Sequence, residues 1–168
     1  MQARSLLKES DWLLELADRP SFIKGVVGWV DLLSPQVEEQ LACLSRHPKF
    51  RGVRHVVHDE PDDRFMMHED FIRGTGKLKK FGLTYDLLLF PRHVPVAYEL
   101  VELFPEQPFV VDHIAMPLIK EHKMGSWDTD LRQLAIFPNV YCKVSGLVTE
   151  ADWKNWKPGD FTLYLDVV

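Results

Sequence analysis

Apolar and polar positions along the chain alternate between two rhythms. Over residues 6–17 the apolar side chains Leu6, Leu13, Leu14 and Ala17 recur at helical spacing, which predicts an amphipathic helix. Residues 22–32 then read FIKGVVGWVDL, an apolar run closing on an acid, as expected of a buried strand. A second helix is predicted to start at Ser34-Pro35, with Ser34 as N-cap and Pro35 at the first helical position. It carries Val37, Leu41 and Leu44 and stops before His47-Pro48. The alternation returns four more times. Residues 52–57, 83–90, 109–114 and 139–145 are the next strands. Helices around 71–81, 95–104 and 128–136 follow the first three, and a Trp-rich loop with a short helix follows the last.

Strands recurring roughly every thirty residues, each followed by a helix, describe βα units joined by right-handed crossovers. Their near-continuous apolar character fits a parallel sheet covered on both faces. Two α/β architectures satisfy this pattern, an open doubly wound sheet and a closed barrel. Neither a G-x-G-x-x-G nor a G-x-x-x-x-G-K-[ST] segment follows any strand, so the usual signature of a nucleotide-binding sheet is missing. Every predicted strand instead carries polar residues at or near its C-terminal end. These are Asp31, then Arg54, His55 and His58, then Asp86, then Asp112 and His113, and finally Lys143 and Ser145. Polar strand ends converging on one rim are how a barrel assembles an active site.

Composition narrows the class. With 46% hydrophobic and 27% charged residues, the 168-residue chain has an ordinary soluble composition and can bury a core as a single domain over residues 1–168. A net charge of -5, with no face or tail gathering Lys and Arg, argues against a nucleic-acid partner held by phosphate neutralisation. No apolar run approaches a membrane span, so no membrane partner is expected. Cys43 and Cys142 do not make a disulfide framework and read as small buried hydrophobes in a reducing, cytoplasmic setting.

Three strand ends carry candidate chemistry. His113, beside Asp112, could ligate a metal, bind an oxyanion or shuttle a proton, because imidazole titrates near neutrality. The plainer reading is a histidine hydrogen-bonded at a strand end. Strand alternation puts Arg54 and Val56 on one face and His55 and Val57 on the other. Arg54 could clamp a carboxylate or hydroxyl groups with its planar fork, or simply pair with Asp59 or Glu60. Lys143, inside a buried strand, is costly unless paired or working, and Asp31 or Asp86 could be its partner. There is no H-x-H, H-E-x-x-H or paired C-x-x-C, so a complete metal site is not written in the chain. There is also no G-x-S-x-G nucleophile elbow. The aromatic cluster of Trp153, Trp156, Phe161 and Tyr164 is expected to pack.

Five segments, in order, carry a resemblance: GVVGWVDL from Gly25, RGVRHVVHDE from Arg51, GLTYDLLLFP from Gly82, PFVVDHIAMP from Pro108 and NVYCKVSGLVTEADW from Asn139. Together they resemble the amidohydrolase-related family, in its sugar-acid lactonase branch of fuconolactonase and rhamnonolactonase type. The resemblance implies a partial (β/α)8 TIM barrel, about strands three to seven with their helices, as a truncated piece of a longer enzyme. The H-x-H pair expected on the family's first strand and the aspartate expected on its eighth are not in this sequence, and Met116 stands where relatives often have lysine. The implied function is a hydrolase of the metal-dependent superfamily type, opening a sugar-acid lactone by water attack on the ring carbonyl. His113 is then the catalytic candidate and Arg54, His55 and Lys143 line the substrate, a small lactone or sugar acid. A divalent metal is implied only for the full-length parent, with His113 its ligand here, and the general base lies outside the chain. The contrasting expectation is a non-catalytic partial barrel, an interaction protein that self-associates or docks through open sheet edges.

Overall fold

The computed structural model describes residues 1–168. Its frame is one sheet of five short strands: β1 (Val26–Gly28), β2 (Phe50–His55), β3 (Thr84–Leu87), β4 (Phe109–Val111) and β5 (Val140–Cys142). Each strand pairs in parallel with the next in chain order. A doubly wound sheet must reverse its order at a switch point, whereas a barrel runs on in sequence, so this order is an arc of a (β/α)8 barrel. The helices are α1 (Leu7–Asp18), α2 (Val37–Leu44), α3 (Glu69–Thr75), α4 (Val94–Leu103), α5 (Trp127–Leu134) and α6 (Thr162–Leu165).

Register gives the sheet two different faces. Val53, Tyr85, Leu87, Phe109 and Val111 point into the helical layer and are buried. Phe71 of α3 meets Tyr85 edge-on at 5.8 Å, and Tyr85 meets Phe109 at 6.2 Å, so aromatic rings tie α3 to two strands. Burying each such ring contributes roughly 2–3 kcal/mol. The opposite face, the concave interior of the arc, carries Gly52, Arg54, Thr84 and Asp86. Polar groups therefore sit where a barrel closes its interior.

The strands are shorter than the apolar runs predict, and side chains explain where they stop. After Gly28 the Ser10 hydroxyl of α1 donates to the Trp29 carbonyl at 2.8 Å and accepts the Trp29 N–H at 2.7 Å, leaving nothing for a neighbouring strand. Beyond β3 the Phe90 N–H donates to His93 Nδ1 at 3.1 Å. Helix α2 starts two residues later than Ser34-Pro35 predicts. The Asp31 carboxylate accepts the Leu33 N–H and the Ser34 hydroxyl accepts the Gln36 N–H, so both are spent on a turn preceding the helix. Both cysteines are exposed rather than buried. Cys43 points away from the face of α2 formed by Val37, Leu41 and Leu44, and Cys142 lies on the outermost strand.

That outermost strand borders an apolar groove of about 410 Å3 between β5 and α5, which also reaches Val167 and Val168. Ile136 and Tyr141 on it are 77% and 61% exposed, against a core whose members are almost wholly covered.

A Cβ at Gly74 of α3 would overlap the Leu32 carbonyl and its backbone, which cannot move as a flexible side chain can. Gly74→Ala should therefore destabilise the fold by roughly 1–3 kcal/mol, read from urea denaturation. His93 is fully buried, accepts the Phe90 N–H at Nδ1 and donates from Nε2 to Asp63 at 3.1 Å. Burial, then the Arg92 charge, holds its pKa below the ordinary imidazole value of 6.5 against the pull of Asp63. A depressed imidazole pKa means the unfolded chain takes up the proton first, so stability falls as pH drops below 6.5 and through the folded value. In His93→Gln that fall should be shallower between neutral and mildly acidic pH in urea titrations, and an unchanged slope would exclude His93 as its source.

Candidate active site

Four consecutive strand ends contribute one polar cluster. Arg54 of β2 and Asp86 of β3 are register partners on the concave face. Asp112 follows β4 directly and Lys143 follows β5 directly. Asp112 is the hub: one carboxylate oxygen meets Arg54 Nη1 at 2.7 Å and the other meets Lys143 Nζ at 2.7 Å. Lys143 also pairs with Asp86, whose second oxygen accepts from Thr84 Oγ1 at 3.0 Å. Two buried acids thus face two cations, which is the condition under which such charges are tolerated inside a protein.

The four members differ in access. Asp112 and Asp86 are buried at 0% and 1% exposure, while the Lys143 side chain is 31% exposed. Burial drives the Asp86 pKa above the ordinary carboxylate value, against the opposing hydrogen bond from Lys143. Burial alone would pull Lys143 down, but its bonds to Asp112 and Asp86 more than offset this and hold its pKa above the ordinary lysine value. Lys143 stays a cation, hydrogen-bonded to Asp86 and ion-paired with Asp112, and its partly exposed ammonium retains N–H capacity for a ligand oxygen.

The Arg54 fork is engaged by the protein itself. Nε donates to Gln2 Oε1 at 3.0 Å, Nη2 to the Gln2 carbonyl, and Nη1 lies near the Met1 sulfur as well as Asp112. Its partner is thus Asp112, not the Asp59 or Glu60 that sequence proximity suggests.

His113 stands at the same rim in an unusual backbone. His113, Ile114, Ala115 and Met116 all have positive φ, between 44° and 57°. Left-handed conformation costs an ordinary residue about 1–2 kcal/mol, so four in succession persist only where the surroundings fix them. The imidazole Nδ1 lies 2.9 Å from Ser145 Oγ. Gly146, itself at φ 73°, lies flat against the ring, and a Cβ there would come within 2.7 Å of His113 Cγ. With Nδ1 occupied by the serine hydroxyl, Nε2 is the ring atom left to act on a ligand.

His55 is not brought into this group. It lies on the helix-facing side of β2, stacked on Phe65 at 5.0 Å, with Nδ1 accepting from Trp29 Nε1 and Nε2 paired with Glu60 at 2.6 Å. Asp31 likewise forms its own turn and does not reach Lys143. Trp156 packs on Phe161 and Tyr164 on Trp127, as expected, but Trp153 is 77% exposed. Asp112 and Gln2 are the members that sequence reasoning undervalued. A strand-end acid beside an imidazole was a signal for the first, and Met1-Gln2-Ala3, too short to show a period, gave none for the second.

A profile of the amidohydrolase family matches residues 2–168. The chain belongs to the amidohydrolase family. It is 41% identical over 160 residues to an L-fucono-1,5-lactonase of Burkholderia multivorans, covering 92% of this chain and 54% of that protein. An L-fucono-1,5-lactonase of Burkholderia ambifaria is 36% identical over 151 residues, covering 90% of this chain and 52% of that one. The chain therefore spans about half the length of these curated relatives. Among solved structures, an amidohydrolase from Burkholderia multivorans with bound zinc superposes with a TM-score of 0.92 at 39% identity, covering 99% of this chain and 61% of that chain. Another crystal form of it, with bound HEPES, gives 0.91 at 38% identity over the same shares. No helix of this amidohydrolase is long and apolar enough to cross a membrane.

Zinc in that relative raises the question of a metal here. No group of three or more His, Cys, Asp or Glu side chains is placed to hold a metal ion. Asp112, the acid beside His113, is already held by two cations. The donors of residues 1–168 do not by themselves fit a metal centre.

Proposed function

We propose that this amidohydrolase chain carries the carbonyl-binding half of a sugar-acid lactonase site. The observation that carries the reading is the ion network that joins the ends of β2, β3, β4 and β5, with His113 next in the chain after its hub Asp112 and held at Nδ1 by Ser145. Its alignment with two L-fucono-1,5-lactonases favours a hydrolytic role over that of a non-catalytic interaction protein.

In this reading the Ser145 hydroxyl donates to Nδ1, which fixes the tautomer so that Nε2–H points at the lactone carbonyl oxygen. As water adds to the carbonyl carbon, negative charge grows on that oxygen, and a donor already in place stabilises it. Lys143 offers an N–H to the same oxygen or to a ring hydroxyl. Arg54 acts at one remove, holding Asp112 so that Lys143 is anchored. Asp86 and Asp112 are both paired with Lys143, so neither serves as the base that deprotonates water. The exposed β5 edge and its groove favour self-association of the isolated chain.

Titration of the purified chain with L-fuconate, the acid that such a lactone releases, tests the reading. Amide and side-chain resonances of His113, Lys143, Ser145 and Gly146 should move together at millimolar ligand. Shifts confined to other parts of the surface would contradict it.

A further inference from the structure

We infer that Trp127 is a positioning residue for His113, acting through a left-handed turn that its indole holds in place. The turn His113–Met116 is the longest run of positive φ in the chain and contains no glycine. Ile114 within it is β-branched, a residue type that rarely takes this conformation. Something outside the turn must therefore hold it.

Three hydrogen bonds meet there. Met116 N–H donates to the His113 carbonyl at 2.9 Å, which closes the turn on itself, and Ile114 N–H donates to the Lys143 carbonyl at 3.2 Å, which ties it to the chain just after β5. The third comes from a side chain: Trp127 Nε1–H donates to the Ile114 carbonyl at 2.7 Å. That indole has a fixed seat. Trp127 is 1% exposed and packs edge-on against Tyr164, with ring centres 5.6 Å apart. Tyr164 in turn donates its hydroxyl to the Leu118 carbonyl at 3.3 Å, just beyond the turn. Helices α5 and α6 thus hold the segment through Trp127 and Tyr164, while the imidazole lies against Ser145 and Gly146 after β5.

Without the indole N–H the Ile114 carbonyl is left buried and unpaired, and the backbone strain is unopposed. The turn then relaxes toward extended geometry and carries His113 away from Ser145. The seat against Gly146 has no slack to absorb such a shift, because it accepts the ring only where a Cβ is missing. The part Trp127 plays in turnover rests on the lactonase reading of His113; its part in placing the ring does not.

Trp127 is replaced by 3-benzothienylalanine, which keeps the shape and loses the donor, and separately by Trp127→Phe. The 15N and 1H resonances of the His113 ring are read in the purified chain, with folding checked by circular dichroism. Both variants should shift the ring resonances while the chain stays folded. Adding Ala115→Gly, which lowers the cost of the left-handed turn, should restore them. In a chimera carrying residues 1–168 in the matching part of the Burkholderia multivorans lactonase, Trp127→Phe should lower kcat about tenfold or more with KM within about twofold, and Ala115→Gly should recover it. Unchanged His113 resonances in the benzothienyl variant would overturn the inference, as would a shift that Ala115→Gly fails to reverse. An inactive parent chimera would count against the lactonase reading alone, since the ring resonances decide the placement by themselves.

Discussion

Asp112→Asn should destabilise the chain by about 3–5 kcal/mol, a large share of the 5–15 kcal/mol that holds a typical domain together. The substitution keeps shape and removes charge. Asp86 would then be the one carboxylate left in the network, and of the two cations it reaches Lys143 and not Arg54, which is 7% exposed. The loss comes from stranding a buried guanidinium rather than from the intrinsic strength of one ion pair. Removing both partners therefore costs less than the sum. In Arg54→Met with Asp112→Leu, urea denaturation should give a destabilisation well below that of the two single variants added together. A cost below about 1 kcal/mol for Asp112→Asn alone would mean that the network is not the organising element of the rim.

His113→Ala, introduced into the lactonase chimera described above, should lower kcat/KM for L-fucono-1,5-lactone by well over tenfold, in the range of about 10²–10³ for loss of one oxyanion donor. His113→Gln keeps a donor near the same place and should retain part of the rate. Lys143→Met should raise KM more than it lowers kcat if the lysine chiefly orients the ring substituents. Assays at neutral pH compare the two His113 variants by donor capacity, and Lys143→Met, which also takes a cation from Asp86 and Asp112, is read beside its stability in urea.

Much of this was legible from the residues. Five apolar runs with polar ends gave the parallel strands and their common rim, and Arg54, Asp112, His113 and Lys143 were visible as strand-end polar residues. Asp86 was available as a partner for Lys143, and the structure pairs them. Period-2 alternation put His55 and Arg54 on opposite faces, but the pattern could not say which face was concave. The structure puts His55 beneath Phe65 and Phe71, and only long-range packing decides that. The left-handed turn was hidden for a different reason. DHIAM contains no glycine, so nothing local announces positive φ, and the conformation is imposed by contacts with Trp127 and Lys143. Strand lengths were overestimated because Ser10 and His93, distant in sequence or on the following turn, intercept the backbone groups a longer ladder would use.

The most direct test of the account is turnover of L-fucono-1,5-lactone by the chimera that carries residues 1–168 in place of the matching segment of the Burkholderia multivorans enzyme. The account predicts saturable hydrolysis that is lost on His113→Ala while the chimera stays folded. A folded chimera that fails to open the lactone, or one that opens it equally well without His113, would contradict the placement of the active site at this rim.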